Sequence, residues 1–226
     1  MYVIVVGAGQ IGSQVIDLLS TSQYEIVVIE GDPDVAEEAS RNYDCLVLND
    51  DATKRETLLD AGAERADAII CTTDQDATNI MVLLLAKELE VPSLVTVVQN
   101  PDHMNVFRQV GANVLENPQR LIAEYLVRAV QRPSIKDFMD LAGDAEVFEV
   151  TVVEGAPITD HTIHEAAEEG LLMPNELVVA IERGEDVIRP RGDTEFEAGD
   201  LVTVFSSEGA TPEVLYTFTG KEQPVE

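Results

Sequence analysis

Positive charge is what this sequence has least of: fourteen lysines and arginines stand against forty-three acids, a formal net charge of -29 over 226 residues. Lys54, Lys87, Lys136 and Lys221 are its only lysines. Such a balance repels nucleic acid phosphates and argues against nucleic acid as a partner. The acids are spread along the whole chain, and 45% of the residues are hydrophobic, too many for a disordered polyanion. A folded protein with an acidic shell is expected. Self-repulsion at this charge is tolerable in concentrated salt, because at about 1 M the screening length falls to roughly 3 Å. A salt-rich cytoplasm follows as an expectation. The thermal midpoint should therefore be higher in molar KCl than in low salt, and equal midpoints in the two melts would refute the idea.

Cysteine is nearly as scarce. Cys45 and Cys71 lie 26 residues apart, beside apolar residues and outside any Cys-x-x-Cys pair, which predicts buried reduced thiols and argues against a disulfide framework. Long apolar runs are missing too. The longest, which ends at Ala86, is far short of the roughly 20 residues of a bilayer span. No basic segment precedes an apolar one at the N-terminus, so a soluble, unprocessed chain is expected. The length suits one large domain or two unequal ones.

What is present is an alternation of strands and helices. Tyr2 to Val6 is an apolar run ending at Gly7, as for a buried parallel strand. Ile11, Val15, Leu18 and Leu19 recur at helical spacing behind it. Strands are predicted at Ile26 to Ile29, Cys45 to Leu48, Ala68 to Cys71 and Ser93 to Val98, with helices at Pro33 to Asn42 and Asp76 to Leu89. This pattern predicts an α/β fold with a Rossmann-like, doubly wound parallel sheet. From Pro118 to Val130 a helix carries the stripe Leu121, Ile122, Tyr125, Leu126, Ala129 and Val130. Pro133 interrupts it, and Ser134 to Leu141 reads as a second helix, giving a helix-turn-helix linker. An apolar stripe placed after a complete sheet needs covering, which points to self-association. Strands then dominate, at Val147 to Val153, Val178 to Glu182, Val187-Ile188 and Leu201 to Phe205. Among them lies one helix with the capping box Thr162 and Glu165 and a stop at Gly170. A small α+β domain is expected there.

The chemistry centres on Gly7-Ala8-Gly9-Gln10-Ile11-Gly12, a Rossmann fingerprint set between a strand and a helix. Gly7 permits a tight turn, Gly9 lets the backbone approach a pyrophosphate, and Gly12 allows close packing of helix and strand. A phosphate would sit at the helix N-terminus. Glu30 ends the next strand, 18 residues after Gly12, where a carboxylate accepts ribose hydroxyls and repels a 2'-phosphate. NADP is disfavoured, whereas NAD and adenine mononucleotides both stay open. Asp50-Asp51-Ala52-Thr53 and Thr72-Thr73-Asp74 follow the third and fourth strands, where open α/β sheets bind ligands. For Asp51, Thr73 and Asp74, ligand contact and helix capping remain equally open; Asn79 reads as a buried amide tying loops together.

Catalytic candidates are few. No tyrosine is followed by lysine four residues on, as in the short-chain dehydrogenase pair. His103 is a lone loop residue with a structural or solvent-facing role. His161 and His164 could share a helical face, but two more metal ligands are not apparent nearby. Arg189 and Arg191 flank Pro190, suited to an anion or simply to a hairpin.

Taken together, these residues resemble the Trk/Ktr-type potassium-uptake regulators, built from an RCK nucleotide-binding domain and a small RCK C-terminal domain. The likeness rests on Val3 to Gly12, Glu30, Asp50 to Thr53, Leu58 to Gly62 with Asp67-Ala68, and Thr72 to Asp74 with Asp76 and Asn79. It continues through Asn100-Pro101-Asp102-His103, Gly111-Ala112, Asn117-Pro118, Ala180 to Gly184, and Ala198 to Leu201. The resemblance implies domains at 1–131 and 144–222 with a linker or dimerisation helix at 132–143. It also implies a cytoplasmic, non-enzymatic gating subunit, peripheral on the inner face of the membrane, that binds NAD or NADH, or alternatively ATP or ADP. Its partners would be a membrane potassium-translocating subunit and further copies of itself, as a dimer, tetramer or octameric ring. By position, Gly7, Ala8, Gly9, Gln10 and Ile11 with Gly12 would hold the pyrophosphate, Glu30 the ribose, Asp51 the adenosine side, and Thr73 and Asp74 the far side. The stripe at Leu121 to Val130 and the segment Phe138 to Leu141 would form the contact between subunits. Two departures stand out: Asp50 replaces a common glycine, and Thr96-Val97-Val98-Gln99 lacks the family's arginine. A small NAD-dependent oxidoreductase, or a nucleotide-sensing module of another cation channel or transporter, are the alternatives.

Overall fold

The computed structural model describes residues 1–221, so the C-terminal boundary expected at residue 222 lies outside the described residues. It divides into two compact units, Met1–Glu124 and a second from Tyr125 on.

The first unit holds a six-stranded parallel sheet formed by β1 (Tyr2–Val6), β2 (Glu25–Glu30), β3 (Leu46–Asn49), β4 (Ala68–Cys71), β5 (Ser93–Val97) and β6 (Val114–Glu116), in the order β3-β2-β1-β4-β5-β6. β1 is central, and all five of its residues are buried. Its unbroken apolar run is explained by cover on both faces. Tyr2, Ile4 and Val6 enter one core with Leu58, Val82, Leu83 and Phe107; Val3 and Val5 enter the other with Ile16, Val28 and Ala39. The first core is closed by α3 (Arg55–Asp60), α4 (Asp76–Glu88) and α5 (Met104–Val110). The second is closed by α1 (Gln10–Ser20) and α2 (Pro33–Asn42). The inward face of α1 is Gly12 and Ile16, with Val15 and Leu19 half-buried; Leu18, expected on that face, is 70% exposed. Cys71 is fully buried and Cys45 half-buried, both as free thiols whose pKa burial raises.

The helix predicted from Pro118 is α6 (Pro118–Gln131), and the boundary between the units falls inside it. Leu121, Ile122, Tyr125, Leu126 and Val130 are all at least half exposed.

In the second unit, β7 (Ile135–Asp140), β8 (Glu146–Thr151), β9 (Glu176–Arg183), β10 (Asp186–Ile188) and β11 (Leu201–Ser206) form an antiparallel sheet in the order β10-β9-β11-β8-β7. β8 and β11 alternate buried and half-buried residues, as strands packed on one face do. The packed side carries α7 (Ile163–Glu168) and α8 (Pro212–Thr219), and Phe196 meets Phe218 edge-on with ring centroids 6.1 Å apart. The predicted capping box of α7 is present, Glu165 N–H donating to Thr162 Oγ1 and Thr162 N–H to Glu165 Oε2.

The second helix of the expected helix-turn-helix is absent: residues 135–140 are the edge strand β7, paired with β8. A register shift between Ile135 and Phe138 leaves both side chains packed against the second core. Two inward residues three apart imitate helical spacing, which misled the periodicity. Phe138 is therefore part of a sheet and is not on a helix offered to another subunit.

Candidate functional site

β1 ends at Gly7, whose φ of +93° lets the chain reverse sharply above the sheet. Thr72, at the end of the neighbouring β4, fixes this turn from below: its Oγ1 donates to the carbonyl of Gly7 at 2.9 Å and lies 3.1 Å from that of Val6. Gly12 returns on the first turn of α1 directly against the loop. A methyl at Gly12 would stand 2.0 Å from the Gly7 carbonyl oxygen and 2.8 Å from Thr72 Oγ1. The close packing expected of Gly12 is thus made against the turn and Thr72.

Gly9 is different. A methyl there would meet no protein atom within 4 Å, and its backbone lies in an ordinary extended region. Nothing in the protein requires glycine at this position; bare backbone there is what a ligand passing over it would require. Gly9 also caps α1 without a side-chain acceptor, and no acid stands in the first turn of that helix, so its leading N–H groups lack a capping partner. By contrast α2 is capped by Asp32, whose Oδ1 accepts from the N–H groups of Asp34 and Val35.

These features border a cleft of about 820 Å³ at the carboxyl ends of the strands. Gly7, Gly9, Gln10, Ile11, Glu30, Asp51, Thr73 and Asp74 line it together, whereas Ala8 and Gly12 do not. Ala8 contributes through its backbone, its N–H donating to Glu30 Oε2 at 2.7 Å, while Glu30 Oε1 accepts from the N–H of Asp32 at 2.8 Å. Glu30 thus joins the glycine turn to the start of α2.

Asp50 and Asp51 both shape the approach to α3. Asp51 Oδ1 accepts from the N–H and hydroxyl of Thr53, which lowers its pKa. Hydrogen bonds from Lys54, the Asp51 N–H and Thr57 hold Asp50 at about 2. Thr73 donates to Asn79 Oδ1 at 2.7 Å, and fully buried Asn79 donates to the carbonyls of Thr73 and Val97, the loop tie expected of it. Asp74 is exposed and caps no helix.

Sequence reading missed several walls. Gln75, Thr78, Gln99 and Gln119 line the cleft as well; Gln119 Nε2 donates to Gln99 Oε1 at 2.7 Å. Gln119 follows Asn117-Pro118 by only a residue, but nothing local shows that the start of α6 reaches back to β5. His103 is structural: Nδ1 lies 2.7 Å from Oδ2 of buried Asp76, which also takes the N–H groups of Gln99 and Asn100. Burial of Asp76 would raise its pKa, but these bonds outweigh it and hold the group low. His161 and His164 each face a glutamate, and no metal-binding group of three or more ligands occurs among the described residues. In the second unit, Arg183 forks onto Asp200 through two bonds of 2.8 Å and also bonds Glu197. Arg191 lines a separate cleft of about 400 Å³ beside Pro190 and Met173.

The TrkA-N domain model matches residues 3–118 and the TrkA-C domain model residues 147–215. The chain is 29% identical over 223 residues to the Trk system potassium uptake protein TrkA homolog of Methanothermobacter thermautotrophicus, covering 97% of this chain and all of that protein. Among solved structures, the GsuK channel bound to NAD superposes with a TM-score of 0.69 at 20% identity, over 100% of this chain and 40% of that one. GsuK bound to ADP gives a TM-score of 0.54 at 22% identity, over 59% of this chain and 35% of that one. These two structures share its fold, and this chain spans less than half the length of either. From the turn over Thr72 to the fork joining Arg183 to Asp200, the motifs take their places in two matched domains, and the chain belongs to the family of proteins with TrkA-N and TrkA-C domains.

Proposed function

We propose that this chain is a cytoplasmic regulatory subunit of a Trk/Ktr-type potassium uptake system that binds NAD(H), or ATP or ADP, in the cleft of its first domain. The observation that carries the reading is Gly9, whose missing side chain faces open space in the cleft wall beside an uncapped helix start. The backbone of Gly7 to Ile11 would hold the phosphates, Glu30 the adenosine ribose, Asp51 the adenosine side, and Thr73 and Asp74 the far half. The domains would run over 1–131 and 144–222. The membrane partner follows from the named TrkA relative and the GsuK channel. No helix among the described residues is long and apolar enough to cross a membrane.

The role is binding without turnover. The far side of the cleft offers Thr73, Asp74, Gln75, Thr78, Gln99 and Gln119, a set suited to positioning a ligand. A ligand gates only by binding two states unequally, and moving a population from mostly closed to mostly open takes about 5 kcal/mol of difference. Several copies would share it, and the exposed stripe Leu121 to Val130 on α6 supports assembly into a dimer or larger ring.

The test is calorimetry with NAD, NADH, ATP and ADP in high salt on the wild type and Glu30→Ala. At least one nucleotide should bind the wild type, and Glu30→Ala should weaken it about tenfold or more, since the variant loses both a ribose acceptor and the bond holding Ala8. Absence of binding by all four nucleotides would end the proposal.

A further inference from the structure

No lysine, arginine or histidine is among the residues lining the cleft, whereas Glu30, Asp50, Asp51 and Asp74 are. Among the described residues, Asp50 alone of these carboxylates has an ion pair to a cation, with Lys54 Nζ at 2.9 Å. Glu30 is bonded by backbone N–H groups and Asp51 by Thr53. The wall beyond Thr73 is otherwise neutral, made of Gln75, Thr78, Gln99 and Gln119.

Any nucleotide brings negative charge into this setting. The end of one helix offers about half a positive charge, enough for a diphosphate bridge and too little for a chain of phosphates among four carboxylates. NAD+ carries about one net negative charge at neutral pH, NADH about two, ADP about three and ATP about four, since the nicotinamide ring is cationic only when oxidised. With β1 between β2 and β4, a ligand laid across the switch point has its adenosine beside Glu30 and its other half toward the loop after β4, where Asp74 stands. A cationic ring there meets a carboxylate and neutral amides. Reduction removes the attraction and leaves the repulsion.

We infer that the cleft selects its ligand by charge, taking NAD+ in preference to NADH, ADP and ATP, with Asp74 the residue that separates the oxidised dinucleotide from the reduced one. The inference rests on the nucleotide-binding reading above. It makes the subunit a reporter of redox state.

Calorimetric Kd values for NAD+, NADH, ADP and ATP, measured in chelator-containing buffer at about 0.2 M and about 2 M KCl on the wild type and Asp74→Asn, test it. In the wild type NAD+ should bind about tenfold more tightly than NADH, and ATP most weakly. Asp74→Asn should bring the ratio of NAD+ to NADH close to one without moving the melting temperature, because Asp74 is exposed and caps nothing. High salt should narrow the gap between ATP and NAD+. NADH or ATP binding as tightly as NAD+, an unchanged ratio in Asp74→Asn, or a gap insensitive to salt overturns charge selection and leaves nucleotide binding standing. No binding by any of the four removes both readings.

Discussion

Gly12→Ala should destabilise the first unit by on the order of 3 kcal/mol and abolish nucleotide binding, while Gly9→Ala should cost about 0.5 kcal/mol and weaken binding at least about tenfold. The two glycines are three residues apart in one motif but perform unrelated work. At Gly12 the added methyl would lie 2.0 Å from a backbone carbonyl oxygen, and backbone cannot rotate away as a side-chain tip can. Either α1 lifts from the sheet or the Gly7 turn breaks from Thr72; both expose part of the core around Ile16. At Gly9 the methyl touches nothing in the protein, and the backbone conformation there suits any residue. The small cost reflects alanine as a poor N-cap. The methyl instead occupies space beside which a pyrophosphate would run. Thermal melts and nucleotide titrations on both variants check this, and the reading of the cleft fails if Gly9→Ala binds nucleotide as well as the wild type.

The second large effect is expected far from the cleft. Asp200→Ala should destabilise the second unit by about 3 kcal/mol, the lower end for breaking a buried ion pair, because Arg183 keeps Glu197 and the carbonyl of Glu195. Asp200 is 1% exposed and accepts both prongs of the Arg183 fork together with the N–H of Glu197. Removing it strips a partly buried guanidinium of two charge-assisted bonds and leaves a backbone donor unpaired. Asp200→Asn keeps the volume and one acceptor, and should cost about half as much. Hydrogen exchange locates the damage: amides of β9 and β11 should exchange faster while those of β1 and β4 keep their protection. Equal loss of protection in both sheets would contradict a role confined to the second unit.

The same fork shows why two stretches marked by family resemblance belong together. Ala180 to Gly184 and Ala198 to Leu201 were separate strings in the sequence; Arg183 at the end of β9 and Asp200 at the start of β11 join them. Arg128 in α6 has a comparable part: it lies over the Phe138 ring at 3.8 Å and donates to Glu146, which also takes Arg132 and the N–H of Ala210. No spacing rule would have paired Glu146 with residues on both sides of it in the chain.

What the sequence determined by itself is whatever depends on a residue's own backbone or its near neighbours. Gly7 had to reverse the chain, Thr162 and Glu165 had to cap a helix, and Tyr2 to Val6 had to be buried on both faces; all three are so. The alternation of elements in the first half gave the doubly wound sheet for the same reason. Tertiary structure decided which residues share a wall. Gly12 is glycine first because of the Gly7 carbonyl five residues back, and only the fold adds Thr72, sixty positions later, to that contact; Gln99 and Gln119 line one cleft with Glu30 and Asp51 because the strands are ordered with β1 between β2 and β4. It also decided the fate of Ser134 to Leu141, where pairing with β8 outweighed a helical spacing that one irregularity in the strand had produced. Local spacing records the conformation a segment prefers; partnership across the fold is set by burial and hydrogen bonding to segments the spacing never sees.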